Sequence, residues 1–271
     1  MDFKARAKLN LSLNVVGKAN GLHLIESVFL PINICDDVSI VPNDTDVITL
    51  RYSDRSDPYV NDTALKAARV IKGRYFTGGV DIKISKRIPE RAGLGGSSAD
   101  AAAVAKGMAT LFDLDISPSV LLSIGSDVPA MFASVPCFVS GAGEKVVPIE
   151  GVKYPDLVIL IPDGGVDTGV CFDRYDAIGG QNGNISEVIA ALKAGRDFCP
   201  NNALTDAAIS LLPEIGEGLK VLKEYFPCGM TGSGSAIFGL CYDGEFANKV
   251  DEIKKSVGDK FKIITLSSKE I

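Results

Sequence analysis

The sequence predicts an α+β fold in two domains, residues 1–150 and 151–271, and three observations lead to it. A chain of 271 residues is long enough for two ordinary domains, each with its own core. Strand and helix patterns are mixed along it without strict βαβα alternation, which in the second half suggests two layers. The stretch from Ile149 to Tyr154 interrupts those patterns and is the best boundary.

Between Phe3 and Val15, apolar residues (Phe3, Ala5, Ala7, Leu9, Leu11, Leu13, Val15) alternate with Lys4, Arg6, Lys8, Asn10, Ser12 and Asn14, the signature of a long strand with one polar side. That side is either a solvated face of an antiparallel sheet or, at Lys8, Asn10 and Ser12, a cleft wall with side chains about 7 Å apart. Gly17 to Gly21 turns the chain into a second strand through Ser27, Phe29 and Pro31, and Asp37 to Leu50 reads as further strand. A helix from Asn61 to Val70 opens on capping residues. Val80 to Lys86 alternates as a half-buried strand, and Ser98 to Phe112, alanine-rich and free of proline, reads as a helix. After a break at Asp113 to Pro118, a short helix from Ser119 to Ile124 leads into Gly125-Ser-Asp-Val-Pro129, where Asp127 suits a turn or helix cap. The second half reads as strand 156–162, helix 186–192, mostly helix over 206–226, and a glycine-rich turn from Cys228 to Ser235. Strand 236–241, helix 245–257 and strand 261–266 complete it.

The joining segment Ile88-Pro-Glu-Arg-Ala-Gly-Leu-Gly-Gly-Ser-Ser-Ala-Asp100 carries the chemistry. Gly93, Gly95 and Gly96 allow positive φ and a close ligand approach, and Ser97 and Ser98 suit the helix cap. A helix start offers unpaired N–H groups and about half a positive charge, so strand, loop and helix form a phosphate cradle; the alternative is a strand-to-helix turn whose glycines only relieve strain. There is no GxxxxGK[ST], since Lys86 precedes the glycines, and no GxGxxG opening a first βαβ unit. A net charge of -6 argues against a nucleic-acid surface, and no apolar run approaches a membrane span or a signal peptide. Six scattered cysteines without a CxxC pair suggest reduced thiols in a cytoplasm. One histidine, His23, rules out a His-rich metal site, and no metal-ligand set is expected.

Three stretches together are far more specific than any one. Ala7-Lys-Leu-Asn-Leu, Pro89-x3-Gly-Leu-Gly-Gly-Ser-Ser and Thr231-Gly-Ser-Gly-Ser-Ala resemble, in order and spacing, the three motifs of the GHMP kinase superfamily. The opening through Gly21-Leu-His23, Ser27-Val and Asp36-Asp37, with Gly125-Ser-Asp-Val-Pro129, is similar to its 4-diphosphocytidyl-2-C-methyl-D-erythritol kinase family over essentially the whole chain. This resemblance implies a GHMP-type architecture, with an N-terminal ATP-binding domain like ribosomal protein S5 domain 2 and a C-terminal ferredoxin-like domain contributing to the substrate cleft. It implies ATP-dependent phosphorylation of the 2-hydroxyl of a cytidine-diphosphate-linked methylerythritol, with Mg²⁺ entering as MgATP, in a cytoplasmic monomer or weak homodimer without nucleic-acid or membrane partners.

By that resemblance Lys8 and Asp127 are the catalytic pair. Pro89, Glu90, Arg91, Ala92, Gly93, Leu94, Gly95, Gly96, Ser97, Ser98 and Ala99, with Lys86 before them, hold the ATP phosphates. His23 and Phe172 contact the cytosine, Asn10 sits near the hydroxyl-bearing end, and Gly232 and Ser233 meet the substrate diphosphate. Three positions depart from the pattern: Leu22 stands where an aromatic residue is usual, Asn201 to Leu204 is less acidic, and Asp62 replaces an asparagine that often helps hold the adenine. The competing readings are another GHMP small-molecule kinase (for mevalonate, homoserine or a sugar), a non-catalytic nucleotide-binding protein on the same scaffold and, more distantly, a hydrolase.

Overall fold

A computed structural model describes residues 1–55, 59, 61–242 and 244–269. The chain opens with two long antiparallel strands, β1 (Asp2–Ala19) and β2 (Leu22–Asn43). Asn20 and Gly21 join them, both at positive φ (51° and 79°), as a two-residue Asn-Gly hairpin demands. β2 runs unbroken through the expected gap between its two predicted halves. Pro31, which has no N–H to give, stands opposite Lys8 at a register shift and so interrupts little of the ladder.

β3 (Ile48–Tyr52), α1 (Thr63–Tyr75), β4 (Gly79–Ser85), α2 (Gly96–Phe112), α3 (Pro118–Ile124), α4 (Val128–Ala133), β5 (Cys137–Gly141) and β6 (Lys145–Pro148) follow. A seven-stranded sheet runs in the order β3-β4-β2-β1-β8, where β8 is the two-residue strand Asn201–Asn202 of the second half, with β5 and β6 extending from the first half of β2. Alanines 99, 101, 102, 103 and 105 of α2 are buried, and at Gly107 a Cβ would lie 2.4 Å from Ile40. Small side chains thus let α2 lie close on β1 and β2.

The second half comprises β7 (Asp156–Pro162), α5 (Thr168–Ile178), α6 (Ile185–Ala194), β8 (Asn201–Asn202), α7 (Thr205–Leu211), α8 (Glu214–Lys223), β9 (Cys228–Met230), β10 (Ile237–Cys241), α9 (Phe246–Val257) and β11 (Phe261–Leu266). Its antiparallel sheet, β11-β7-β10-β9, is buried on both faces. Leu157, Ile159, Phe238 and Leu240 join the core that contains β1 and β2, while Val158, Leu160 and Ile237 pack with residues of α7, α8 and α9. α6 packs on β1 and β2, and β8 pairs in parallel with β1, so the second half completes the larger sheet.

That completion decides the polar side of β1. Only Lys4 and Arg6 are solvated; Lys8, Asn10, Ser12 and Asn14 are buried. Asn201 pairs opposite Ser12, Thr231 accepts from the Asn10 amide at 2.9 Å, and Asn14 exchanges hydrogen bonds with Gly183 at 2.8 and 2.9 Å. The helix expected over 206–226 divides at Leu212-Pro213, because proline cannot donate to the preceding turn. The first residues of the expected turn at Cys228 form β9 instead.

Candidate active site

A cavity of about 910 Å³ is lined by β1, β2, the starts of α1, α2 and α5, the loop before α2 and the second glycine turn. Its lining brings together Lys8, Asn10, His23, Lys86, residues 89–98, Asp127, Phe172, Gly232 and Ser233. Two expected residues lie elsewhere. Ala99 is buried in the core, and Ser12 does not line the cavity: after a register shift between Asn10 and Ser12, Leu13 lines it instead.

Lys8 is almost fully enclosed, its side chain 3% exposed, and its Nζ lies 3.6 Å from Asp127 Oδ2 and donates to Asn10 Oδ1. Burial holds the Lys8 ammonium below its ordinary pKa, against the opposing pull of the Asp127 carboxylate. Asp127 begins α4 without capping it through its side chain, so the carboxylate is left free for the cavity. The cap reading of Asp127 therefore does not hold.

The loop reaches the pair through its backbone, with the Lys8 amide donating to Leu94 O at 3.0 Å. Gly95, at φ 74°, is the residue before α2, and no side chain caps that helix. Ser97 and Ser98 lie inside its first turn instead, because the left-handed glycine makes the entry that a serine cap was expected to make. The helix's first i to i−4 bond is Ala99 N to Gly95 O, so the amides of Gly96, Ser97 and Ser98 precede the ladder. A Cβ at Gly95 would lie 2.3 Å from Met131 Cε and 3.1 Å from Lys8 Cε. Uncapped amides, a glycine floor and an adjacent ammonium suit a nucleotide's phosphates.

Two further features were not legible in the sequence. The second glycine turn packs against the first: Ser235 and Ala236 donate to the carbonyls of Arg91 and Ala92 (3.3 and 3.0 Å), and Asn202 Nδ2 donates to Met230 O and Gly232 O (2.9 and 2.8 Å). The departure at Asn201 to Leu204 thus holds the second turn. Below the loop, Lys86 Nζ bridges Asp36 and Asp100, 2.6 Å from the latter. Asp36 Oδ1 also accepts from the amides of Arg87 and Ile88. Burial pushes the Asp100 carboxyl up to about 7, although Lys86 pulls it down. Asp62 caps α1 by accepting from the Leu65 amide and accepts the Tyr52 hydroxyl at 2.6 Å.

At the far end, His23 and Phe172 stack on one another with ring centroids 4.5 Å apart and planes at 26°. Asp176 of α5 meets His23 Nε2 at 2.7 Å and Lys18 Nζ at 2.8 Å; the hydrogen bond with His23, and then that from Lys18, holds its carboxyl below the usual range. Leu22 is 56% exposed at the cavity's edge. Thr168 and Ser233 join through their hydroxyls at 3.0 Å. Among the described residues no group of three or more His, Cys, Asp or Glu could hold a metal ion, and no helix is long and apolar enough to cross a membrane.

Residues 62–141 match the family model for the N terminal domain of GHMP kinases, which sets the class: with the glycine-floored cleft, a kinase of the GHMP type. The chain is 32% identical over 277 residues to the 4-diphosphocytidyl-2-C-methyl-D-erythritol kinase of Caldicellulosiruptor saccharolyticus, covering 97% of this chain and 93% of that one. The enzyme of the same name from Clostridium acetobutylicum is 32% identical over 279 residues, covering 96% and 98%. A crystal structure of 4-(cytidine 5'-diphospho)-2C-methyl-D-erythritol kinase matches with a TM-score of 0.79 at 27% identity, covering 98% of each chain. The mevalonate kinase of Methanococcus jannaschii shares the fold, with a TM-score of 0.66 at 15% identity. The chain belongs to the 4-diphosphocytidyl-2-C-methyl-D-erythritol kinase family.

Proposed function

We propose that the chain transfers the γ-phosphoryl group of ATP to the 2-hydroxyl of 4-diphosphocytidyl-2-C-methyl-D-erythritol, a step of the non-mevalonate isoprenoid route. The observation that carries this reading is the Lys8–Asp127 pair at 3.6 Å beside the uncapped start of α2. Phosphoryl transfer needs positioning and charge neutralisation more than covalent help. ATP supplies the phosphoryl group, and Mg²⁺, entering with it, offsets charge on its phosphates. The Asp127 carboxylate accepts a hydrogen bond from the 2-hydroxyl and takes its proton as the new O–P bond forms and the bond to ADP breaks. Lys8, held by Asn10, pairs with the Asp127 carboxylate and donates to the transferring oxygens.

Residues 89–98 cradle the phosphates with Lys86 beside them, and Gly232 and Ser233 meet the substrate diphosphate. The cytosine goes to His23 and Phe172. The same reading assigns ATP to residues 1–150 and part of the substrate cleft to residues 151–271. A larger sheet built mostly from the first half and closed by β8, and a four-stranded antiparallel sheet wholly in the second half, support the S5-like and ferredoxin-like descriptions. It takes the protein as a cytoplasmic monomer or weak homodimer acting on a small molecule alone.

The test is ATP turnover by the purified chain against the cytidyl alcohol, mevalonate, homoserine and galactose, with the product read by phosphorus NMR. A phosphomonoester on the cytidyl alcohol alone is expected. Phosphorylation of mevalonate and not of the cytidyl alcohol would overturn the reading, and ATP binding with no acceptor phosphorylated would favour a non-catalytic nucleotide binder.

A further inference from the structure

The loop between β4 and α2 is tied down at three corners. Its far side is bonded to the second glycine turn through the Arg91 and Ala92 carbonyls. Its two ends meet at Lys86, the first residue after β4, and at Asp100, in the opening turns of α2, and the two side chains lie 2.6 Å apart. The third corner is Asp36 on β2, which has no exposed surface. One Asp36 oxygen accepts from the Arg87 and Ile88 amides, the other from Lys86.

A buried cluster of this kind is a poor way to stabilise a fold. Charges taken out of water rarely repay the desolvation cost, and well-packed apolar side chains often do as well or better. What such a cluster does supply is position. The loop it closes turns on Gly93 and Gly95 at φ 72° and 74°, which glycine adopts freely, and holds Arg91 at φ 54°, a conformation that a residue with a side chain keeps only where the surroundings enforce it. Lys86 and Asp100 both line the cavity, while Asp36, which also pairs with Lys86, does not.

We propose that Asp36 is a positioning residue for the nucleotide: it fixes the entry to the phosphate loop through the Arg87 and Ile88 amides and, with Asp100, aims the Lys86 ammonium into the cleft. The proposal rests on the reading of residues 89–98 as the ATP loop. Asp36 itself touches no substrate.

The test is Asp36→Asn in the full chain, which keeps the shape and removes the charge. Titration with a non-hydrolysable ATP analogue is expected to show affinity weakened about ten- to hundred-fold, the value of one or two charge-assisted hydrogen bonds. In steady state the KM for ATP rises by a similar factor, while the KM for the cytidyl alcohol stays within about two-fold of wild type. A protein with wild-type analogue affinity, or one in which both KM values rise in parallel, overturns the proposal. If Asp36→Asn does not fold, Asp100→Asn is expected to show the same split through Lys86, and unchanged analogue affinity there overturns it equally. Analogue binding needs no acceptor, so a wild-type chain that binds it but fails to phosphorylate the cytidyl alcohol refutes the substrate assignment and leaves this test standing.

Discussion

The two ends of the cavity are built in opposite ways. At the phosphate end the working groups are backbone amides, a lysine with 3% side-chain exposure and glycines without room for a Cβ. That end is made before any ligand arrives. At the base end the groups are side chains on two elements far apart in sequence: His23 on β2, and Phe172 and Asp176 on α5, whose only fully buried residue is Cys171. Their rings stack on each other. Centroids 4.5 Å apart leave no room for a third ring between them, since each stacked contact needs roughly 3.5 Å. If this end takes a base, as proposed, the base would have to lie on the outer face of the pair or part it. On the proposed reading the chemistry would sit on the end built from backbone and glycines, and base recognition on the end built from side chains.

The largest effect that could break this contrast is on the catalytic pair. Asp127→Asn is expected to lower turnover by about 10²–10⁴-fold, the usual worth of a general base, with KM for ATP near that of wild type in steady-state assays. A variant keeping most of its turnover would remove the carboxylate from the mechanism.

Rigidity at the phosphate end is tested next by Gly93→Ala. Gly93 has φ 72°, and an added Cβ would lie 2.3 Å from Thr231 O and 3.0 Å from Gly234 O. Both obstacles are backbone and cannot swing aside. The expected cost is about 2–4 kcal/mol, a thermal midpoint lowered by roughly 5–10 °C. A melt unchanged from wild type would mean that the two turns are not packed as tightly as their hydrogen bonds imply.

Asp100 sharpens the contrast through pH. Its folded pKa of about 7 is raised from the usual 3.8 by burial, with Lys86 opposing. Between these values the folded state holds a proton that the unfolded chain has released. The carboxyl's effect on stability is therefore absent below about pH 4 and becomes a growing loss as pH rises through 7. Relative to Asp100→Asn, wild type should lose on the order of a few kcal/mol across that window, read from urea melts at several pH values. Parallel curves for the two proteins would show that Asp100 titrates normally.

What could be read from sequence follows the same division. The phosphate end is written in contiguous residues, because strand, glycine turn and helix start are neighbours along the chain; Pro89 to Ser98 needs no partner to be recognised. Lys8 was legible as a polar position on an alternating strand, but whether it was solvated depended on β8 and Thr231, some two hundred residues away. Two residues of β8 are too few for any periodicity. The Asp36–Lys86–Asp100 cluster joins positions 50 and 14 residues apart, and nothing local marks either carboxylate as buried. Asp176 was missed because α5, mostly exposed, shows no apolar stripe. Ser97 and Ser98 misled as caps, since a left-handed Gly95 can start a helix without any side chain.

The smallest effect is the most discriminating for the base end. If cytosine stacks on Phe172, Phe172→Ala removes about 0.5–1.5 kcal/mol of ring contact, and the KM for the cytidyl alcohol should rise roughly two- to ten-fold with turnover and the KM for ATP unchanged. The His23–Phe172 stack works against that change, because a substrate that parts the two rings must first replace their mutual contact. Were the stack mainly a competitor, truncation would free His23 and lower the KM instead. The sign of the shift thus separates a recognition surface from a self-blocking one. We expect a rise, because Asp176 keeps His23 anchored at 2.7 Å whether or not Phe172 covers it, leaving Phe172 as the ring whose loss is not made good.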